Sequence, residues 1–374
     1  MDNLILQDKF LTTDEQNEYA INNILKRLTI DVQPQDNPVA VVVAGQPGSG
    51  KTGLIAKTLK DIKNSVALDV DDYRYFHPNI KEILSNYPDQ LVPLTKTFVN
   101  IVANEVTNRL IQKKYNLVIH KTLKDMVIVD DTLIPLINAG YDVFIRAMVV
   151  CPLQSKISAL GRSIDFKNQI GWCRWVTKPN HDFACSSLPK VANEIFKKKY
   201  CKGLELFQRG VKPTNSVLKY TFYDKTILDC EDKFYKSFPI SKNKLAKKLS
   251  IIQAFDKIRD DEFKVIIPAV YAKIKQIKKE NSDESAKIYI DEIESICKKN
   301  YKSNEGKKMD NNLKLELAKE ILARMIALES LNGFNKDNTK LMKLLEDEKE
   351  MNNFNLKVIN KIITKYGPII KMRG

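Results

Sequence analysis

Residues Val39–Thr52 read VAVVVAGQPGSGKT, and this stretch decides the fold. A run of β-branched and alanine residues, typical of a buried strand, meets a glycine-rich turn and then Lys51 and Thr52. The spacing Gly45-x4-Gly50-Lys51-Thr52 matches the phosphate-binding loop, or P-loop, that joins a strand to a helix. A tight strand-to-helix turn that happens to contain glycines is the alternative. The complete pattern favours the P-loop, and it predicts that the chain binds a nucleoside triphosphate.

Each part of this loop has a chemical purpose. Glycines let consecutive backbone N–H groups turn onto phosphate oxygens, and the N-terminus of the next helix adds partial positive charge. Lys51 is predicted to reach the β- and γ-phosphates of ATP, and the Thr52 hydroxyl is predicted to hold Mg²⁺. The predicted nucleotide-binding residues are Gly45, Gln46, Pro47, Gly48, Ser49, Gly50, Lys51 and Thr52.

The composition is that of an ordinary globular protein. Of the 374 residues, 43% are hydrophobic and 29% are charged, and this length favours two domains. No apolar run approaches the ~20 residues of a membrane-spanning helix. The opening MDNLILQDKF lacks the basic flank and apolar centre of an export signal, and the six cysteines lack a paired spacing. We therefore expect a protein with reduced thiols in the cytoplasm of the producing cell, or of a target cell if it is delivered.

The net charge of +15 makes nucleic acid a partner to consider. The excess of lysine and arginine is spread along the chain, with short clusters such as Lys197–Lys199 and Lys278–Lys279. Such a spread is typical of solvated helix faces. Nucleic acid is therefore a candidate partner, but it is not the favoured one.

Strand and helix patterns alternate through the first part of the chain. Helices are predicted over 53–63, 95–113 and 126–139, and strands over 65–70, 117–119 and 141–150. This alternation predicts a parallel sheet with right-handed crossovers. The pattern over 152–183 is less regular, a helix-rich piece follows to about Gln208, and 216–223 and 226–230 are predicted strands.

The character of the sequence changes beyond about residue 240, where Lys-, Asn- and Glu-rich segments carry helical apolar stripes. Pro268 is predicted to break or kink the first long helix of this region. Near the other end, Thr13 with Asp14 and Glu15 is predicted to cap a helix. We therefore predict a helical lead-in over 1–38, a P-loop domain over 39–238 and a Lys-rich helical domain of unknown role over 239–374.

Four further motifs follow the P-loop in a fixed order. They are Asp-x-Asp-Asp-Tyr-Arg-x-x-His-Pro from Asp69, Ile-His-Lys-Thr-Leu-Lys over 119–124, the pair Arg162 and Arg174, and Thr-Lys-Pro-Asn-His-Asp-Phe over 177–183. Together the five motifs resemble the zeta toxins, P-loop kinases of bacterial toxin–antitoxin systems that phosphorylate UDP-N-acetylglucosamine on a sugar hydroxyl. The resemblance spans about residues 15–235 and leaves 240–374 unexplained. It implies an α/β fold, a P-loop kinase with a parallel sheet flanked by helices, to which a C-terminal all-helical domain is added.

The resemblance also implies roles for individual residues. Asp71 would be the general base that takes the proton from the acceptor hydroxyl, since a carboxylate near an Mg²⁺-bound phosphate can orient and deprotonate an alcohol. The alternative roles for Asp71 are a ligand of Mg²⁺ or an Asx-turn cap. Arg162 and Arg174 match two lid arginines that neutralise the transferring phosphoryl group, although either alone is typical of a surface ion pair. Arg74 is expected to pair with the carboxylates or to contact substrate.

The acceptor motif departs from the family pattern Ile-Glu-Gly-Thr-Leu-Arg. His120 stands where a glutamate usually helps to hold the sugar nucleotide, Lys121 replaces the glycine, and Lys124 replaces the arginine. Thr122 matches a substrate-contacting threonine. We therefore expect His120, Thr122 and Lys124 to bind the substrate in a pocket whose hydrogen-bonding groups differ from those of the family.

Three functions follow from these patterns. The first is an ATP- and Mg²⁺-dependent toxin kinase that phosphorylates a hydroxyl of a nucleotide sugar like UDP-N-acetylglucosamine, or of a dinucleotide such as NAD. The second is a kinase that acts on nucleic-acid ends, and the third is a nucleotide-dependent partner-binding protein without phosphotransfer. An antitoxin or another protein is a candidate partner of the C-terminal helices, which by analogy could also inhibit the kinase in cis.

Overall fold

The structure is a computed structural model that describes residues 3–170, 176–210, 216–280, 287 and 290–298. Its internal contacts divide the chain into two compact units. The first unit comprises Met1–Arg209 with Thr214–Arg259, and the second comprises Gly210–Pro213 with Asp260–Gly374. The sheet and the P-loop lie in the first unit.

A six-stranded sheet forms the centre of the first unit. Its strands are β1 Val39–Ala44, β2 Ser65–Leu68, β3 Asn116–Lys121, β4 Asp142–Met148, β5 Gly203–Arg209 and β6 Ser216–Tyr223. Their spatial order is β2-β3-β1-β4-β5-β6. Strands β1 to β5 are parallel, and β6 pairs antiparallel with β5. The predicted parallel sheet is therefore confirmed, with the strand of the P-loop at its centre.

Helices connect the strands. They are α1 Asn3–Lys9, α2 Asp14–Leu28, α3 Lys51–Asp61, α4 Ile80–Asn86, α5 Leu91–Gln112, α6 Ile134–Asn138, α7 Pro152–Ile170, α8 Lys178–Lys197, α9 Lys225–Leu228 and α10 Ile251–Glu280. Short 3-10 turns cover Val70–Phe76, Pro88–Gln90 and Lys242–Lys244, a π turn covers Val129–Leu133, and a small hairpin joins β7 Phe234–Tyr235 to β8 Phe238–Pro239. Among the described residues, no helix is both long enough and apolar enough to cross a membrane.

Strand β1 supplies residues to two hydrophobic cores. Ala40, Val42 and Ala44 contribute to a core shared with residues of α2 and α5, and Val39, Val41 and Val43 contribute to one shared with α3. Successive side chains of a strand point to opposite faces, so both faces of this strand are covered. Burial on both faces explains why its sequence is an unbroken apolar run rather than an alternating one.

A buried network of charged side chains connects helix α3 to strands β4 and β5 of the sheet. The Arg146 side chain, only 2% exposed, donates from Nε to Glu205 Oε2 (2.9 Å) and from Nη1 to Asp61 Oδ2 (2.6 Å). Tyr223 donates its hydroxyl to the other oxygen of Glu205 (2.6 Å). Burial raises the pKa of Glu205, and Arg146 and Tyr223 act against that rise. Because each charge has a partner, the network fixes the end of α3 against β4 and β5.

Most of the predicted elements occur with shifted ends, but two of the predicted elements were wrong in part. The less regular stretch over 152–183 contains α7 and the start of α8, and the helix-rich piece to Gln208 contains strand β5. Strand β5 carries the charged residue Glu205, whose buried ion pair is invisible in the sequence. The predicted strand over 226–230 contains the end of helix α9, because Asp224 caps this helix by accepting a hydrogen bond from the Ile227 N–H.

The predicted cap at Thr13 is confirmed, and α2 begins with a full capping box. Helix α10 continues through Pro268, so the helix does not break there, and the alternative of a kink stays a prediction. Its first turns place Phe255 and Ile258 in the core of the first unit. In the second unit Ile274 and Ile293 are buried, and the apolar stripes predicted beyond residue 298 lie outside the described residues. The predicted boundary at residue 238 stays a prediction.

Candidate active site

The P-loop has a backbone that only glycine accommodates easily. Gly48 and Gly50 have φ values of +75° and +94°, in the left-handed region. A β-carbon on Gly48 would lie 2.1 Å from the Ser155 carbonyl oxygen and 2.8 Å from the Ala159 nitrogen, both on α7. The loop therefore wraps closely against α7, with α3 beginning directly after it at Lys51.

Lys51 is a buried cation inside this loop. Its Nζ donates to the Gly45 carbonyl (2.7 Å) and to the Gln46 carbonyl (3.1 Å), and its side chain is buried. Burial and the nearby charge of Arg162 lower the Lys51 pKa to about 8, while Asp69 raises it. A buried ammonium group that is held by carbonyl oxygens and repelled by an arginine favours an incoming anion.

The loop residues fit a nucleoside triphosphate with its magnesium ion. The Ser49 hydroxyl is buried without a hydrogen-bond partner, and the Thr52 side chain on the first turn of α3 is exposed. The start of α3 adds the partial positive charge of a helix N-terminus. In the described part of the chain, His, Cys, Asp and Glu side chains form no cluster of three that could hold a metal by themselves. The exposed Thr52 hydroxyl is an oxygen group of the kind that can bind Mg²⁺ alongside phosphate oxygens.

The carboxylates follow β2, one strand beyond β3 from the P-loop strand. Asp69 begins the 3-10 turn by accepting a hydrogen bond from the Asp71 N–H (3.2 Å). The Asp71 carboxylate is 63% exposed and accepts a hydrogen bond from Arg74 Nη2 (2.6 Å). Arg74 also donates from Nη1 to the Thr95 hydroxyl of α5 (3.1 Å), which orients its guanidinium. Asp72 is exposed, and the partial loss of its hydration together with the neighbouring carboxylates Asp69 and Asp71 raises its pKa.

His120 pairs with Asp69 across two neighbouring strands. Its Nδ1 lies 3.6 Å from Asp69 Oδ2, and in the sheet register His120 is the partner of Val43 on β1. The neighbouring imidazole of His120 holds the pKa of Asp69 below its usual range, against the effect of burial. The structure therefore brings Lys51, Asp69 and His120 together at one end of the sheet.

The acceptor motif continues into a short turn. Lys121 is the register partner of Ala44, the last residue before the P-loop, and burial lowers its pKa while Asp131 acts in the opposite direction. Thr122 is half-buried and Lys124 is exposed. Leu123 between them has φ +50°, an uncommon left-handed conformation for a bulky residue. Backbone strain of this kind is often found at functional sites.

Of the two predicted lid arginines, Arg162 lies within the described residues. Arg162 is exposed on α7, and its charge acts on Lys51. Arg174 lies outside the described residues. The structure thus brings Arg162, one of the two predicted arginines, within electrostatic range of the P-loop lysine.

Polar side chains of the P-loop, α7 and α8 form a hydrogen-bonded chain that supports the loop. Gln46 donates to the Val150 carbonyl (2.8 Å) and to the Ser155 hydroxyl (3.4 Å), and this hydroxyl is hydrogen-bonded to His181 Nε2 (2.9 Å). His181 is fully buried and is joined to Asp182 at 3.3 Å. This chain of buried polar groups links the P-loop to the Thr-Lys-Pro-Asn-His-Asp-Phe motif at the start of α8.

Arg209, at the end of β5, is the residue that the sequence analysis missed. Its Nη2 donates to the Gly48 carbonyl (2.7 Å), and its Nη1 donates to the Ser158 hydroxyl of α7 (3.0 Å). The sequence could have pointed to it only if β5 had been recognised as a strand, because basic residues that end parallel strands lie at the ligand edge of such sheets.

Comparison with known proteins identifies a family and relatives of this chain. The family model of the zeta toxins matches residues 21–215. Toxin zeta of Streptococcus pyogenes is 27% identical over 222 residues, which are 59% of this chain and 77% of that protein. Toxin PezT of Streptococcus pneumoniae serotype 4 is 28% identical over 202 residues, or 53% of this chain and 79% of that protein.

The fold has a counterpart among solved structures. A chain from the PezAT chromosomal toxin–antitoxin system of Streptococcus pneumoniae superimposes with a TM-score of 0.50 at 23% identity and covers 68% of this chain and 99% of its own length. This likeness shows a shared fold, and the family model covers more than half of the 374 residues. The chain therefore belongs to the zeta toxin family and is an ATP-dependent kinase that acts on an alcohol acceptor.

Proposed function

We propose that this chain is a toxin that transfers the γ-phosphoryl group of ATP to a hydroxyl of a nucleotide sugar resembling UDP-N-acetylglucosamine. One observation supports the proposal: the buried Lys51 of the P-loop is within electrostatic range of Arg162 on α7, whose charge lowers the Lys51 pKa, and of Asp69 at the end of β2, whose charge raises it. We infer that these two cations and this carboxylate act on the terminal phosphate. Phosphoryl transfer depends mainly on such positioning and neutralisation of charge.

The chain's own groups divide the reaction between them. Lys51 holds the β- and γ-phosphates, and Thr52 offers its hydroxyl to Mg²⁺, which neutralises phosphate charge when it is bound. Arg162 and Arg174 neutralise the charge that develops on the transferring group. Asp71 accepts the proton of the acceptor hydroxyl as its oxygen attacks the γ-phosphorus, and ADP leaves.

The exposure of Asp71 supports its role as the base. A carboxylate that is 63% exposed can meet an acceptor that arrives from solvent, and its hydrogen bond from Arg74 fixes its direction. Asp69 is less suited to accept a proton, because His120 and Lys51 lower its pKa. Asp69 instead holds His120 in place beside the acceptor site.

The acceptor pocket supports an anionic substrate with an altered mode of binding. His120 and Lys121 lie beside β1, and the exposed Lys124 follows the half-buried Thr122. Imidazole and ammonium groups donate hydrogen bonds where a glutamate would only accept them. The diphosphate of a nucleotide sugar fits these donors, and so do the phosphates of NAD or of a nucleic-acid end. The identity of the acceptor is therefore the first thing to measure.

The test is incubation of the full chain with γ-labelled ATP, Mg²⁺ and a panel of UDP-sugars, NAD and oligonucleotides, followed by mass spectrometry. The proposal expects a phosphorylated UDP-sugar and no product with Lys51→Met. Labelling of oligonucleotides alone, with steep dependence on salt, would favour the nucleic-acid alternative. ATP hydrolysis without any phosphorylated acceptor would leave only the partner-binding function.

His120 should control which acceptor is used. With His120→Glu, we expect faster phosphorylation of UDP-N-acetylglucosamine than with the unchanged chain, because the glutamate of the family pattern is restored. Lys124→Arg, which restores the family residue at an exposed position without changing the charge, is the matched control and should have a smaller effect. An identical acceptor profile for all three proteins would show that His120 does not select the substrate.

The C-terminal region is proposed to be a helical domain that holds a protein partner such as an antitoxin, or that inhibits the kinase in cis. The chain from the PezAT system comes from a toxin–antitoxin pair, which supports an antitoxin as the partner. Phe255 and Ile258 of α10 pack in the core of the first unit, so a shortened chain should end after residue 280 rather than near residue 240. Equal kinase activity of the shortened and full chains would show that the C-terminal region does not inhibit the kinase in cis.

A further inference from the structure

Arg209 lies on the side of the P-loop opposite the acceptor groups. In the strand order β2-β3-β1-β4-β5-β6, the elements that carry Asp69 and His120 are on one side of β1, and β5 is on the other. A nucleotide whose terminal phosphate faces Asp69 and His120 must therefore extend its nucleoside toward β4 and β5. Arg209 is at the end of β5 that faces this region, level with the P-loop.

The Arg209 side chain is held in a fixed orientation. Nη2 donates to the Gly48 carbonyl (2.7 Å) and Nη1 donates to the Ser158 hydroxyl (3.0 Å). Its Nε, Nη2 and Cζ lie 3.1, 3.2 and 3.6 Å from the position of a β-carbon on Gly50, so the guanidinium covers this glycine. The residue is only partly exposed. A planar cation that is clamped by its N–H groups and still accessible can stack on an aromatic ring with little loss of entropy.

We propose that Arg209 forms one wall of the nucleoside site, and that its guanidinium packs on the base of the bound triphosphate. The proposal rests on the proposed function, since it takes the direction of the nucleotide from the position of the acceptor groups. It assigns two tasks to one side chain. Arg209 holds the P-loop through the Gly48 carbonyl, and it contacts the part of ATP that inorganic triphosphate lacks.

The test compares the dissociation constants of ATP and of inorganic tripolyphosphate for the full chain by calorimetry. A nucleoside contact makes the unchanged protein bind ATP more tightly than tripolyphosphate. Arg209→Met should reduce this preference about tenfold, the size of a partly desolvated cation–π contact. Arg209→Lys keeps the charge and a donor for Gly48 but loses the plane, so it should reduce the preference by a similar factor. Lys219→Met, which removes a charge from an exposed position of β6, should leave the preference unchanged.

The outcomes separate this proposal from the proposed function. If Arg209→Met weakens both ligands by the same factor, Arg209 only supports the loop and the nucleoside contact is refuted. An unchanged preference in both Arg209 variants refutes it as well. If the unchanged protein binds neither ligand, the kinase function itself fails. If it binds ATP and tripolyphosphate equally, the P-loop binds phosphate but the nucleoside wall does not exist.

Discussion

Raising the pH through about 8 should weaken ATP binding, because Lys51 must carry its proton to hold the phosphates. Burial and the charge of Arg162 lower the Lys51 pKa from 10.5 to about 8 in the protein without nucleotide. Bound phosphates favour the ammonium form and raise this pKa again. The ATP association constant should thus stay level between about pH 7 and 8 and then fall about tenfold per pH unit.

Folding stability should change in the opposite direction over the same range. Between pH 8 and 10.5 the unfolded chain keeps the Lys51 proton and the folded chain loses it, so the unfolding free energy rises with pH. The pKa difference corresponds to about 3 kcal/mol for this buried side chain at ~1.4 kcal/mol per pKa unit. Lys51→Met lacks the proton in both states and therefore should not show this rise.

The assay combines calorimetric titration of ATP with urea unfolding at half-unit steps of pH, each done on the unchanged protein and on Lys51→Met. The difference in unfolding free energy between the two proteins isolates the lysine from the other titrating groups. An ATP affinity that stays constant up to about pH 10 would refute the reasoning. The same conclusion would follow if the stability difference between the two proteins did not depend on pH.

Two further perturbations test the loop and its support. Gly48→Ala should abolish ATP binding in calorimetry, because the added β-carbon would lie 2.1 Å from a carbonyl oxygen. Gly140→Ala is the control, since Gly140 also has a positive φ (+85°) but no atom within 4 Å of the added β-carbon. It should lower the free energy of unfolding in urea by about 1 kcal/mol and leave the ATP affinity unchanged. Arg146→Met should lower the free energy of unfolding by about 3–5 kcal/mol, because it leaves the buried Glu205 carboxylate without its ion-pair partner. Adding Glu205→Gln to this variant should recover part of the loss. If the two substitutions instead lower the unfolding free energy additively, the ion-pair account is contradicted.

The sequence allowed the central part of the fold to be predicted because its signals are local. The apolar run of β1 and the spacing of Gly45, Gly50 and Lys51 lie within one short stretch, and both the strand and the helix after it occur as expected. Strand β5 could not be recognised, because Glu205 and Arg209 interrupt its apolar pattern. Their charges are satisfied by Arg146 on β4 and by the P-loop, and those partners are defined only by the tertiary structure.

The candidate site likewise has some residues that local motifs predicted and others that depend on the tertiary structure. Lys51 and Arg162 were expected near the phosphates from their motifs, and the charge of Arg162 does act on Lys51. The pairing of Asp69 with His120 could not be predicted, because it depends on the register between neighbouring strands that are about 50 residues apart in sequence.

The most direct test is the rate of phosphoryl transfer by Asp71→Asn in rapid-quench experiments with γ-labelled ATP and the acceptor identified from the panel. Loss of the general base should slow transfer by about 10²–10⁴-fold, while ATP affinity stays within about twofold of the unchanged protein. Asp72→Asn, on the exposed neighbour, is the matched control and should keep the rate of transfer. If Asp71→Asn keeps that rate and Asp69→Asn loses it, the proton acceptor is the carboxylate paired with His120 and the central assignment is wrong.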